Sequence, residues 1–98
     1  MYTGSLVADL VLTGARSLKD LRAPLRALAQ RLRNHGFTVA RVGPADLTQR
    51  AFLAVGTVSG EPEVAEARLD EAERLFYDSP FEIADLRRGV TVETFRSG

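Results

Sequence analysis

Apolar residues recur at two different periods along this chain, and the switches between periods divide it into six elements. Residues 5–12 alternate: Leu6, Ala8, Leu10 and Leu12 share one face, and Val7, Asp9 and Val11 share the other. A period of two predicts a strand, and apolar character on both faces predicts a central one. After Thr13 and Gly14 the period lengthens. Leu18, Leu21, Leu25, Leu28 and Leu32 fall at steps of three and four, one side of a helix. Ser17 stands ahead of that run with Asp20 three residues on, a shortened capping box whose hydroxyl can accept an orphan backbone N–H. Asn34, His35 and Gly36 close the helix, glycine being suited to the left-handed turn past a helix end. Pro24 interrupts the pattern. It removes a backbone bond inside the helix, so a kink or an irregular first turn is expected there.

The remaining elements follow the same logic. Residues 37–42 are β-prone and stop at Gly43-Pro44. Residues 45–49 form a loop. Residues 50–58 alternate again, Ala51, Leu53 and Val55 against Phe52, Ala54 and Val58. Pro62 occupies a first-turn position of a second helix, where its missing N–H does no harm. Ala65, Leu69, Ala72 and Phe76 supply that helix's core stripe, with Val64 and Leu75 in support, and Ser79-Pro80 ends it. Residues 81–95 read as a last strand, either bulged at Gly89 or folded into a hairpin there, the bulge being preferred.

The order is β-α-β-β-α-β. Short connections and right-handed crossovers then favour an α+β ferredoxin-like sandwich over residues 1–98: one four-stranded antiparallel sheet with both helices on one face. The other face stays open, so a homodimer sealed sheet-to-sheet or edge-to-edge is expected.

Composition narrows the function classes. Apolar content of 45% and charged content of 27% are those of an ordinary globular domain, and the absence of cysteine excludes disulfides and thiolate metal sites. No stretch approaches the roughly eighteen apolar residues of a membrane span, and no signal peptide is evident, so the expected location is the cytoplasm. Net charge is zero, but its distribution is uneven. Arg16, Lys19, Arg22, Arg26, Arg31 and Arg33 face only Asp20, leaving the first helix region with net five positive charges. Lys19, Arg22, Arg26 and Arg33 fall within roughly 60° of one another on the helical wheel. Residues 61–78 carry the reverse, with Glu61, Glu63, Glu66, Asp70, Glu71, Glu73 and Asp78 against Arg68 and Arg74. A solvated face with stems over the core edge and an anion-binding stripe both fit the basic run.

Catalytic chemistry is not visible. His35, the sole histidine, sits where it would interact with a helix C-terminus, and no spacing of Asp and Glu around it suggests a metal. Ser17 lacks a base to activate it, and the glycines form no phosphate loop. No cofactor and no small-molecule ligand is expected. Stacking of bases on the sheet lacks its aromatics, since the first strand has none and the third only Phe52. A backbone-contacting mode through Arg16, Lys19, Arg22, Arg26 and Arg50 remains, with Asp46 and Gln49 as a polar contact pair or as a self-bonded turn.

GARSLKD (Gly14 to Asp20) and DLTQRA (Asp46 to Ala51), followed by the strand–helix pattern beyond them, resemble the YlxP-like family of small bacterial proteins, a domain of unknown function. Ser17, Leu18 and Lys19 match its first motif, and Asp46, Gln49, Arg50 and Ala51 its second. Leu21 stands where the family has a basic residue, and Thr48 where it has an aromatic. The resemblance implies a ferredoxin-like fold. The family's genes often lie near those for translation initiation and ribosome maturation, which implies a partner in RNA or a ribosomal component. Three functional expectations result: an RNA- or ribosome-associated binding module, a dimeric interaction or regulatory domain using the open sheet face, and a small-molecule sensor or minor enzyme on the same scaffold.

Overall fold

A computed structural model describes residues 1–94. The chain runs β1 (Tyr2–Val11), α1 (Leu18–Asn34), β2 (Thr38–Val42), β3 (Arg50–Ser59), α2 (Pro62–Tyr77) and β4 (Glu82–Val92). The strands form one antiparallel sheet in the order β2-β3-β1-β4. Both helices cover the same face, giving the ferredoxin-like sandwich. Among the described residues no helix is long and apolar enough to cross a membrane.

The alternation places the core as its period requires. Leu6, Ala8 and Leu10 of β1 and Ala51, Leu53 and Val55 of β3 are buried beneath the helices. Leu21, Leu25, Leu28 and Leu32 of α1 and Ala65, Leu69, Ala72 and Phe76 of α2 meet them. Leu69 of α2 packs directly over Gly4, where an added Cβ would lie 2.9 Å from Thr57 Cγ2 and 3.2 Å from Leu69 Cγ. On the uncovered face Val7, Val42 and Val58 are exposed.

The α1 start is built from its own sequence. The Ser17 hydroxyl accepts the Asp20 N–H (3.2 Å), and Asp20 Oδ2 accepts the N–H of Arg16 (3.0 Å), one residue ahead of the usual capping-box donor. Gly36, at φ 89°, supplies the left-handed turn after His35.

Several local expectations are corrected. The first strand starts at Tyr2 instead of residue 5, because Tyr2 to Gly4 pair on both sides, with β3 and β4, although they do not alternate in hydrophobicity. The helix through Pro24 is one continuous α segment with a regular first turn. Pro24 deprives only the Asp20 carbonyl of a partner, on a half-exposed part of the helix where water can replace it. Val64 is 44% exposed, since it lies about 100° from the Ala65–Leu69 stripe. The last strand is unbroken, and its irregularity sits at Ala84, between the Asp9–Asp85 and Leu10–Ile83 pairs. Gly89 instead pairs regularly with Ser5. The expected strand end at Phe95 lies outside the described residues.

Candidate nucleic-acid interface

The six basic residues of the α1 region do not share one fate. Arg31 reaches Asp78 at 3.6 Å in an exposed pair, and Arg33 Nη2 bonds the Val39 carbonyl at 3.4 Å. Arg16, Lys19, Arg22 and Arg26 are exposed, and none takes part in an ion pair among the described residues. Arg22, Arg26 and Arg33 recur at steps of four and seven, so they line one side of α1 over roughly 16 Å of axis. That side overhangs the edge strand β2.

Between α1 and β2 lies a cleft of about 520 Å³. Arg22, Arg26 and Arg33 border it from the helix, with Gln30, and Arg41 borders it from β2; Leu25, Ala29, Val39 and Leu53 form its floor. Arg41 pairs across the sheet with buried Leu53, which puts it on the helix-facing side of the outermost strand. Among the described residues no carboxylate lines the cleft. Sequence reasoning overlooked Arg41, because its place beside the α1 arginines follows from register and not from spacing along the chain.

Four acids of α2 are engaged by other cations. Arg88, on the helix-facing side of β4, gathers Glu66 (2.8 Å), Asp70 (2.8 Å) and Glu73 (3.3 Å) from α2. Burial works against the Arg88 charge, but hydrogen bonds to Asp70, Glu66 and Glu73 outweigh it and hold the guanidinium above its ordinary range. Glu71 bonds His35 Nδ1 (2.8 Å) and Arg68 Nη1 (2.6 Å), and its carboxyl is lowered chiefly by the His35 bond. Arg68 also lies over the Phe37 ring, 4.2 Å from its centroid, and donates to the His35 carbonyl. The acidic face of α2 is therefore in part a set of ion-pair partners, and not only the solvated surface its composition suggested.

The second motif is split by the fold. Gln49 Nε2 donates to the carbonyls of Thr13 and Ala15, both at 3.0 Å, while the Gln49 carbonyl accepts the Leu12 N–H at 2.8 Å. Those two bonds use both N–H donors of the amide, so Gln49 clamps the loop that presents Arg16 and Ser17. Arg50 lies on the opposite, uncovered face. It holds Asp9 through Nε (3.0 Å) and Nη2 (2.5 Å), with its guanidinium 5.5 Å from the Phe52 centroid. The Arg50 bond lowers the Asp9 carboxyl against the opposing effect of burial, and the same bond raises Arg50. Asp46 is exposed in the β2–β3 loop and has no side-chain hydrogen bond among the described residues, so the self-bonded turn is not formed. The fold thus brings Lys19, Arg22 and Arg26 onto one helix with Arg16 in the loop just ahead of it, sets Gln49 behind that loop, and puts Arg50 on the opposite face of the sheet.

A four-stranded antiparallel sheet carrying two helices on one face, with an arginine-rimmed cleft along its edge, defines a ferredoxin-like protein with one cationic flank. Residues 3–88 match the family described as "Protein of unknown function (DUF503)", and the chain belongs to that family. No curated protein matches the sequence. Among solved structures, protein YJCS, a structural-genomics target, is 11% identical, with a TM-score of 0.53 over 93% of this chain and 99% of its own. A de novo designed protein with ferredoxin fold is 14% identical, with a TM-score of 0.48 over 100% of this chain and 91% of its own. The designed protein Ferredog-Diesel is likewise 14% identical, at a TM-score of 0.48 over 89% and 83%. The likeness to YJCS shows the fold alone.

Proposed function

We propose that this DUF503 member is a YlxP-like, non-enzymatic cytoplasmic binding module that holds RNA, free or within a ribosomal particle, by its phosphate backbone. The observation that carries this reading is the unneutralised side of α1. Among the described residues Arg22 and Arg26 stand in solvent without a carboxylate partner, while Glu66, Asp70 and Glu73 are held by Arg88 on the far edge strand and Glu71 by Arg68 and His35. Guanidiniums arrayed along one helix side offer planar, bidentate donors to successive phosphates, and such contacts favour shape over sequence. Arg16 and Lys19 extend the array toward the Gln49-clamped loop. The test is crosslinking of the tagged protein in cells, followed by sequencing of the attached RNA. RNA is expected with the wild type and lost in Arg22→Glu/Arg26→Glu; a wild type that brings down no RNA would remove the proposal.

A second reading is supported by the uncovered sheet face, where Val7, Val42 and Val58 are 40%, 37% and 64% exposed. A homodimer formed through that face would bury them. Because α1 is on the other side of the sheet, such a dimer leaves the arginines free, and the two readings are compatible. Light scattering at micromolar concentration separates a dimer from a strict monomer.

A further inference from the structure

We infer that the cleft between α1 and β2 receives a single unpaired base, which makes this protein a reader of single-stranded RNA over duplex. The inference rests on the proposed RNA binding and adds to it the ligand's class and position. A surface that contacted only phosphates would need charge and nothing else. Here the charge surrounds an apolar floor: Leu25, Ala29 and Leu53 are 7%, 8% and 2% exposed, and Val39 packs partly against them. Arg22, Arg26 and Arg33 stand on one bank and Arg41 on the other. At about 520 Å³ the cleft has the size of small-molecule sites, which run from roughly 300 to 1,000 Å³, and so is large enough for one nucleotide.

The lining selects the occupant by complementarity. Among the described residues the lining has four cations and no carboxylate, which calls for a ligand with more than one negative charge, and the recessed floor calls for a flat or apolar body between those charges. A nucleotide within a strand has that form, with a π face flanked by two phosphates. Guanidiniums serve both parts, forking onto phosphate oxygens and stacking on bases where aromatics are absent. Gln30 donates its Nε2 to Asn34 at 2.9 Å, which leaves its carbonyl oxygen to accept from a base edge. In a duplex the base faces are stacked on their neighbours and cannot reach the floor, so a duplex would touch only the arginine rim. The loop position where the family's aromatic is replaced by Thr48 plays no part in this site.

Fluorescence polarisation with three labelled 12-nucleotide probes tests this: oligoadenylate, a strand of abasic riboses with the same phosphates, and an RNA duplex. Oligoadenylate is expected to bind about tenfold tighter than the abasic strand, the range of one base stacked on a protein surface. The duplex is expected to gain no such advantage. Arg41→Ala, on an exposed edge-strand position, should erase the preference for bases, whereas Arg16→Ala should weaken both single strands alike and preserve their ratio. Equal binding of oligoadenylate and abasic strand, both lost in Arg22→Glu/Arg26→Glu, overturns the base site and leaves the backbone reading standing. An unchanged ratio in Arg41→Ala overturns the assignment of the base to this cleft. If no probe binds, the backbone reading fails and this inference with it. A 12-residue polyglutamate peptide that displaces oligoadenylate at equal concentration overturns the inference in favour of an acidic protein partner.

Discussion

Gln49 joins the β2–β3 connection to the loop ahead of α1, and removing its amide has a calculable cost. Gln49→Ala deletes two hydrogen bonds of 3.0 Å, to Thr13 and Ala15 carbonyls thirty-six and thirty-four residues away. Neutral bonds contribute about 0.5–1.5 kcal/mol each. Since Gln49 is itself exposed, water replaces part of the loss, and the expected destabilisation is about 1–1.5 kcal/mol. For a domain of this size that is a fall in melting temperature of roughly 4–12 °C. Gln49→Glu sharpens the test. It keeps the length of the side chain but at pH 7 offers no donor and sets a carboxylate against two carbonyl oxygens, so it should be less stable than Gln49→Ala. Near pH 4 the Glu gains an O–H, recovers one bond, and the order of the two variants should close or reverse. Urea denaturation followed by circular dichroism, each variant compared with wild type at the same pH, reads both effects. A loss below about 0.3 kcal/mol in Gln49→Ala, or Gln49→Glu the more stable variant at pH 7, would refute the clamp.

Two further outcomes test other parts of the account. Gly36→Ala forces a Cβ into the left-handed region and to 3.0 Å from Arg68 Nη2, so about 1–2 kcal/mol should be lost; a melting temperature within about 2 °C of wild type would contradict this. The Asp9 carboxyl is lowered in the folded state by Arg50, so its contribution is complete above the unfolded value near pH 4 and disappears as pH falls through the lowered folded value. The stability difference between wild type and Asp9→Asn should therefore be constant from pH 7 to about pH 5 and shrink below about pH 4, and a difference that does not change with pH would show that the pair is not ionic.

How far the sequence was legible follows from the range of each interaction. The leucine steps of α1, the alternation of β1 and β3 and the glycine after His35 are local signals, and each element they predicted is present. The cap at Ser17 was readable because donor and acceptor lie three residues apart. What failed to show were features made by register. Arg41 borders the α1 cleft only because β2 pairs with β3 at Leu53. Arg88 draws in Glu66 and Asp70 from eighteen to twenty-two residues away, which turned an apparently idle run of acids into ion-pair partners. The bulge fell at Ala84, where no glycine marks it, because β4 must bring Ile83 and Leu86 both onto the core side. Within the two motifs, Ser17 and Gln49 prove to shape the loop between β1 and α1, while Arg16 and Lys19, with Arg22 and Arg26 beyond the first motif, face outward.

The claim on which the functional account depends is that these outward cations meet phosphates. The direct measurement is the affinity for a 12-nucleotide RNA single strand across salt concentrations from 50 to 300 mM, for wild type and for Arg22→Ala/Arg26→Ala. Each phosphate neutralised contributes about −0.7 to the slope of log affinity against log salt for a single strand. Four contacts through Arg16, Lys19, Arg22 and Arg26 predict a slope near −2.8 for the wild type and near −1.4 for the variant, each figure being approximate. A wild-type slope close to zero, or one that the double substitution leaves unchanged, would contradict the account.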